Sequence, residues 1–394
     1  MLKQEIKELA KSIFPEVIRN RRHLHANPEL SFEEFNTSAF IKEKLDELGI
    51  SYEKMANTGI VALIKGSKPS SNIVALRADM DALPITEIDG REYGSKNPGV
   101  MHACGHDVHS SSLLGTAKIL NNLKDKFGGT VKLIFQPAEE KLPGGASIMI
   151  KEGVLENPIP QAVIGQHVMP FIETGKVGFR SGKYMASSDE IYVRVIGKGG
   201  HGAQPQQNID PIVITAHIIT ALQQIVSRIA DPKIPTVLSF GKIKAEGATN
   251  VIPNEVYLEG TFRTFDEEWR KLAHQRMKKM AEGMAESMGA TCEFEIRSGY
   301  PFLINEEKLT ASVRSYAEDF LGKENVVDLD LWLAAEDFAY YSQQADACFY
   351  RLGTANVKKG ITSAVHTPTF DVDEGALQLS TGLMAYITIK QLGN

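Results

Sequence analysis

Ile73–Asp81 reads IVALRADMD, Val131–Glu140 reads VKLIFQPAEE and Ala162–His167 reads AVIGQH. Each is a short, nearly continuous apolar run, the pattern of a strand buried on both faces, and each ends in acids or a histidine. Helical spacing separates them, over Ser110–Leu123 and Gly145–Glu152, after an earlier helix over Ser38–Leu48 and a strand GIVALIKG. Strand–helix–strand alternation of this kind predicts an α/β domain with a mixed, mostly parallel sheet flanked by helices. In such sheets functional groups gather at the carboxyl ends of the strands. Asp79, Asp81, Glu139, Glu140 and His167 are therefore expected to meet in space.

The run HACGHDVH supplies Cys104 and His106, two residues apart. Thiolate, imidazole and carboxylate together are the donor mix of a zinc- or manganese-type site. A Glu-Glu pair is usually a solvated helix face, but the apolar run VKLIFQPA before Glu139 does not fit one. Cys104 alone would read as a small buried hydrophobe; with His106 beside it, ligation is the better reading. His102 and His109 are expected to be supporting residues, and His23 and His25 to pack or hydrogen-bond locally beside an Asn-Pro turn. His217 and His274 carry no expected role, and Cys292 and Cys348 read as core. The segment GKGGHG lacks the following Lys-Ser/Thr of a phosphate cradle.

With 394 residues the chain is long for one core, so two domains are expected. A net charge of -6 without a basic block argues against nucleic acid as a partner. No apolar run approaches the roughly 18 residues that span a bilayer, so no membrane partner is expected. The charged, amphipathic start lacks an apolar signal core, and three scattered cysteines form no disulfide framework. Both features point to the cytoplasm.

Ser187–Ser298 breaks the alternation. It reads strand, helix, strand, strand, helix, strand, the ferredoxin-like β-α-β-β-α-β motif. The expected organisation is a catalytic domain formed by 1–186 and 299–394, interrupted by an inserted lid or dimerisation domain over 187–298. The crossings near residues 185 and 298 are the expected hinge.

HACGHDVH, FQPAEE, GQHV, GGHGAQP, ATNVIPNEVYLEGTFRTF, AEDFAYY, VHTPTFDVDEGAL and the opening RRHLHANPELSFEE occur in order over nearly the whole chain. Together they resemble the co-catalytic metal amidohydrolases. This aminoacylase and carboxypeptidase-like group includes hippurate hydrolases, indole-acetyl-amino-acid hydrolases and N-acetyl-diaminopimelate deacetylases. The resemblance implies two divalent metal ions per chain, manganese or zinc, with cobalt or nickel able to substitute. It implies Cys104, His106, Glu140, His167 and His366 as ligands, Glu139 as general base, and Asp79 as a residue that orients a ligand, with Asp81 competing for that role. It further implies His201 near the oxyanion, in this chain or a partner, and Asn250 and Arg263 on the substrate's carboxylate. Substrates would be N-acyl amino acids or dipeptides, and the assembly a homodimer through the inserted domain. Gln206 departs from the pattern, since many relatives carry histidine there.

Two other readings compete. A cysteine hydrolase with Cys104 as nucleophile leaves Glu140 and His167 unexplained. A binding module that has lost its chemistry would most readily have lost Glu139, which is intact.

Overall fold

The structure of the protein is a computed structural model, which describes residues 1–88 and 90–393. Its contacts divide it into two compact units: Met1–Tyr184 with Ile304–Leu331 and Asp337–Asn394, and Met185–Leu303 with Trp332–Glu336.

In the first unit, β1 (Tyr52–Met55), β2 (Gly59–Lys65), β3 (Lys68–Asp79), β4 (Gly128–Gln136), β5 (Ala162–Glu173) and β6 (Val177–Phe179) join strands Val326–Asp328 and Ala347–Ala355 in one sheet. The order across it is β1, β2, β4, β3, β5, Ala347–Ala355, β6, Val326–Asp328. The centre is parallel: β3 pairs with β4 and β5, and β5 with Ala347–Ala355. The β1–β2 and β2–β4 pairs are antiparallel. Register decides which side chains meet at the strand ends. Asp79 lies opposite Gln136, and Arg77 lies opposite Gly165. Two residues beyond that last pair, the chain reaches Asp79 on β3 and His167 on β5, while β4 runs on into Glu139 and Glu140.

Helix α1 (Leu2–Ala26) buries Ile6, Ala10, Ile13 and Val17, a stripe at three- and four-residue spacing. It packs against α3 (His106–Asn122) and the C-terminal helix Gly375–Gln391, while α2 (Phe35–Glu47) packs on β2. A Cβ on Gly115 of α3 would come within 2.8 Å of both Val17 and Thr381, so glycine lets these three helices approach closely. The core runs from Ile6 and Leu113 through Leu76 and Leu133 to Ile387.

Helix α3 starts at His106, four residues before the apolar periodicity of the sequence suggests. Its first turn is held by buried polar pairs, which periodicity does not register.

The second unit carries a four-stranded antiparallel sheet in the order Thr236–Lys244, Glu255–Thr264, Asp189–Ile196, Thr291–Ser298. Helices Pro211–Gln224 and Glu267–Ser287 pack on it around Ile191, Val193, Leu258 and Phe262. This is the β-α-β-β-α-β order. Trp332–Glu336 joins the unit through Ala186, whose N–H donates to the carbonyls of Trp332 (3.1 Å) and Ala334 (3.2 Å).

The helical stretch Pro211–Ile229 is long and apolar enough, by composition, to cross a membrane, with a mean hydropathy of 1.4 over its most apolar window. This differs from the sequence expectation of no membrane-length apolar run; Thr215, His217 and Thr220 punctuate the stretch without lowering its mean hydropathy below that of a spanning helix. Ile214, Ile218, Leu222 and Ile225 of this stretch are buried in the unit's own core, as in a helix of a globular domain.

Candidate metal centre

Three backbone features deliver the donors. The parallel register places the ends of β3, β4 and β5 side by side. Gly105, at φ +82°, turns the chain so that Cys104 precedes α3 and His106 opens it. Only glycine fits there, because a Cβ would approach Val168 Cγ2 to 2.6 Å. His366 arrives on a distant loop at φ +61°, unusual outside glycine, and its N–H donates to Ala103 O at 2.7 Å. That bond ties the His366 turn to the residue beside Cys104.

Cys104 Sγ lies 3.4 Å from His167 Nε2 and 3.2 Å from His366 Nε2. His366 Nε2 is also 3.2 Å from Glu140 Oε1. His106 Nε2 is 3.8 Å from Asp79 Oδ2, 3.9 Å from Glu139 Oε2 and 4.0 Å from Glu140 Oε1. Two donor groups overlap at the thiol: Cys104, His106 and His167 in one, Cys104, Glu140 and His366 in the other. All five ligand candidates and Glu139 are thus brought together.

Hydrogen bonds fix which nitrogen of each ring faces the centre. His167 Nδ1 sits 2.7 Å from Val168 O, so Nδ1 carries the proton and Nε2 presents its lone pair toward Cys104. Burial, and then the nearby Arg351, hold the His167 pKa well below the usual histidine range, which keeps the ring neutral. His106 Nδ1 is 3.2 Å from Asp81 Oδ1, and its buried Nε2 has no hydrogen-bond partner. Burial opposes a charge on this ring, but Asp79 and Asp81 outweigh it and push the pKa up to about 10. An orphaned nitrogen in so negative a field, beside a thiol and carboxylates, fits a divalent cation of the zinc or manganese kind.

His109 also lies within reach of Asp79 and His106. Its Nε2 accepts the Val168 N–H at 2.9 Å, and its Nδ1 donates to Asp79 Oδ1 at 2.6 Å. Both nitrogens are occupied, so His109 is a supporting residue and not a donor to the centre.

The two aspartates of RADMD divide their work differently from the sequence expectation. Asp79 binds His109 and Arg77 Nη1, the latter at 2.5 Å. Arg77 in turn reaches Asp337 Oδ1 at 2.7 Å and Gln136 Oε1 at 2.9 Å, giving a buried pair network beneath the centre. Asp81 makes the hydrogen bond to His106, and it also accepts the N–H groups of Glu139 and Glu140, each at 3.0 Å, and Ser31 Oγ at 2.6 Å. Of the two candidates, Asp79 and its competitor Asp81, it is Asp81 that makes the hydrogen bond to His106.

His25 is not a local residue. Its Nδ1 is 2.8 Å from Asp107 Oδ2 and its Nε2 is 3.1 Å from Glu87 Oε1, and Arg21 Nε donates to the same Asp107 oxygen at 2.8 Å. Burial and Arg21 work against charging this ring, yet Asp107 and Glu87 raise its pKa. Register across helices α1 and α3 creates this network, and the nearby Asn-Pro turn does not reveal it. Cys292 and Cys348 are free thiols, the second fully buried.

His201 and Asn250 sit in the second unit. His201 pairs with Val251 on a two-residue ribbon, and Asn250 O accepts the Gly202 N–H at 2.9 Å. Both are exposed. Arg263 lies in the four-stranded sheet opposite Val237, half-buried, its Nε donating to Thr261 Oγ1 at 3.1 Å. Gln206 lies exposed in the short turn Pro205–Gln207.

The profile of the peptidase family M20/M25/M40 matches residues 75–388. The chain is 47% identical to an N-acyl-L-amino acid amidohydrolase of Geobacillus stearothermophilus over 78% of this chain and 83% of that one. It is 39% identical to thermostable carboxypeptidase 2 of Saccharolobus solfataricus over 99% of this chain and 98% of that one. Its fold superposes with a TM-score of 0.83 on a dinuclear metal-binding peptidase from the M20 family of Bacillus subtilis, at 35% identity, covering 97% of this chain and 99% of that one.

Proposed function

The chain belongs to the peptidase family M20/M25/M40 and is a metal-dependent hydrolase of amide bonds, and we propose that it cleaves N-acyl amino acids to a carboxylate and a free amino acid. The observation that carries this reading is the donor set of Cys104, His106, Glu140, His167 and His366 gathered beside the buried carboxylate of Glu139. A metallo-dipeptidase or carboxypeptidase is the second reading, supported by the likeness to the carboxypeptidase relative.

Cys104, His106, Glu140, His167 and His366 would hold two divalent ions, manganese or zinc. Bound there, they supply Lewis acidity, which polarises the amide carbonyl and acidifies water. Glu139 takes the proton of the attacking water on a carboxylate oxygen. The water oxygen adds to the carbonyl carbon, the C–N bond breaks, and Glu139 returns the proton to the departing amine nitrogen. Asp81 holds the Glu139 backbone and the His106 ring in place, and Asp79 supports the floor through Arg77 and His109. From the second unit we assign the oxyanion to His201 and the substrate's carboxylate to Asn250 and Arg263, whose planar fork matches a carboxylate. Cys104 forms no disulfide, which suits a reducing compartment such as the cytoplasm.

We also assign a homodimer through the second unit. Its edge strand Thr236–Lys244 exposes 61% of Ile243, and the helix beginning at Pro211 exposes 42% of Ile212 and 51% of Val213. An open edge beside apolar surface is commonly covered by a second copy under two-fold symmetry. Light scattering at micromolar concentration should give about twice the chain mass of 43.3 kDa; a monomer with full activity overturns the dimer.

The test of the reaction is a panel of N-acetyl and N-benzoyl amino acids and dipeptides, assayed after chelation and reloading with manganese, zinc or cobalt. N-acyl amino acids should show the highest kcat/KM. Higher values for dipeptides select the second reading, and failure to retain metal, with Cys104 freely alkylated, overturns both.

A further inference from the structure

Two side chains of the opening segment RRHLHANPELSFEE reach the surroundings of Glu139, Ser31 through Asp81 and Glu34 directly at the loop that carries Glu139. Ser31 Oγ donates to Asp81 Oδ2. Glu34 is fully buried at the start of α2. Its Oε1 accepts the Phe32 N–H at 2.9 Å and the Ala138 N–H at 2.8 Å, and its Oε2 accepts the Thr58 hydroxyl at 2.7 Å. Ala138 is the residue immediately before Glu139, and its φ of +50° lies in the left-handed region that non-glycine residues seldom adopt. A left-handed alanine persists only when its surroundings hold it. The hydrogen bond from its own N–H to Glu34 is such a hold, and Asp81 grips the next two N–H groups from the other side.

We propose that Glu34 is a positioning residue for the hydrolytic centre: by fixing Ala138 in its left-handed turn it sets where Glu139 and Glu140 reach. This rests on the reading of Glu139 as base and Glu140 as ligand. The role belongs to the shape of the side chain and not to its charge, because both backbone bonds end on one oxygen. An amide oxygen accepts both equally well, while the amide nitrogen can donate to the Thr58 hydroxyl, which rotates to receive it.

Three variants and one control test this. Glu34→Gln should keep kcat within about threefold of the parent protein. Glu34→Ala should lower kcat about 10- to 100-fold with little change in KM, since small displacements of a catalytic group are costly, and should weaken Co²⁺ binding about tenfold in titrations of the metal-free protein. Adding Ala138→Gly to Glu34→Ala should recover part of both losses, because glycine adopts the turn unaided. The control is Glu29→Ala, which removes bonds to the Asn36 and Thr37 N–H groups at the start of the same helix. It should lower the melting temperature and leave kcat and Co²⁺ affinity unchanged. Parent-like kcat and Co²⁺ affinity in Glu34→Ala overturn the proposal, as does a Glu34→Gln variant as impaired as Glu34→Ala. If instead Glu139→Gln retains full turnover, the assignment of the base fails, while the Co²⁺ titrations still judge Glu34 on their own.

Discussion

Asp81 accepts a hydrogen bond from His106 Nδ1 at 3.2 Å, which leaves the opposite ring nitrogen facing Glu139 and Glu140. The same carboxylate takes the two backbone N–H groups of that glutamate pair. One side chain therefore aligns the proposed ligand His106 and the proposed base Glu139 together.

Asp81→Asn places an amide where four donors converge. Metal affinity and kcat should both fall about 10- to 100-fold. Isothermal titration with Zn²⁺ and steady-state kinetics on one preparation measure both. Unchanged affinity would show that His106 needs no orienting partner.

Asp79→Asn should act on stability first. Arg77 keeps Asp337 and Gln136 as partners, but the buried bonds of Asp79 to Arg77 and His109 are both weakened, at about 1–3 kcal/mol each. Urea unfolding of the metal-free protein reads it directly. The contrast with Asp81→Asn separates the two aspartates.

Glu139→Gln should preserve fold and metal stoichiometry while kcat drops about 10²- to 10⁴-fold, the usual worth of general-base catalysis. An amide of the same shape cannot take the proton. Retained turnover moves the base to another residue.

Gly105→Ala should cost about 1–3 kcal/mol, because its φ of +82° and the 2.6 Å approach to Val168 both oppose a side chain. As the turn sets the spacing of Cys104 and His106, Zn²⁺ affinity should fall as well. Circular-dichroism melts with and without metal separate the two effects.

The second unit should be acid-sensitive through Asp189. Burial opposes its charge, but hydrogen bonds from His274 Nε2 at 2.7 Å and from Arg270 at 2.6 and 2.9 Å hold its pKa below the usual carboxylate value. A depressed folded pKa contributes stability that is fully present above the unfolded value, about 3.9, and is lost as pH falls through the lower folded value. Asp189→Asn should cost about 3–5 kcal/mol at pH 7, leaving Arg270 poorly paired, and should flatten the acid limb. Both tryptophans, Trp269 and Trp332, lie in this unit, so their fluorescence follows it in urea titrations between pH 7 and pH 2.

Local pattern in the chain settles the class of the fold and the types of donor gathered at the centre. Apolar runs ending in Asp79, Glu140 and His167 encode buried parallel strands, and period and composition are local properties that a chain carries wherever it folds. The spacing of Cys104 and His106 and the β-α-β-β-α-β order were legible for the same reason. Which aspartate holds His106 was settled by packing alone, since Asp79 and Asp81 differ by two residues and carry the same chemistry. That choice depends on the register of β3 beside β4 and on the turn at Gly105, which no local pattern records. His25 bound to Asp107, the proton positions on His109 and His167, and Glu34 beneath Ala138 belong to the same class. Each is a hydrogen bond about 3 Å long between residues brought together by the fold, and bonds of that reach exist only once packing has fixed the backbones that carry them.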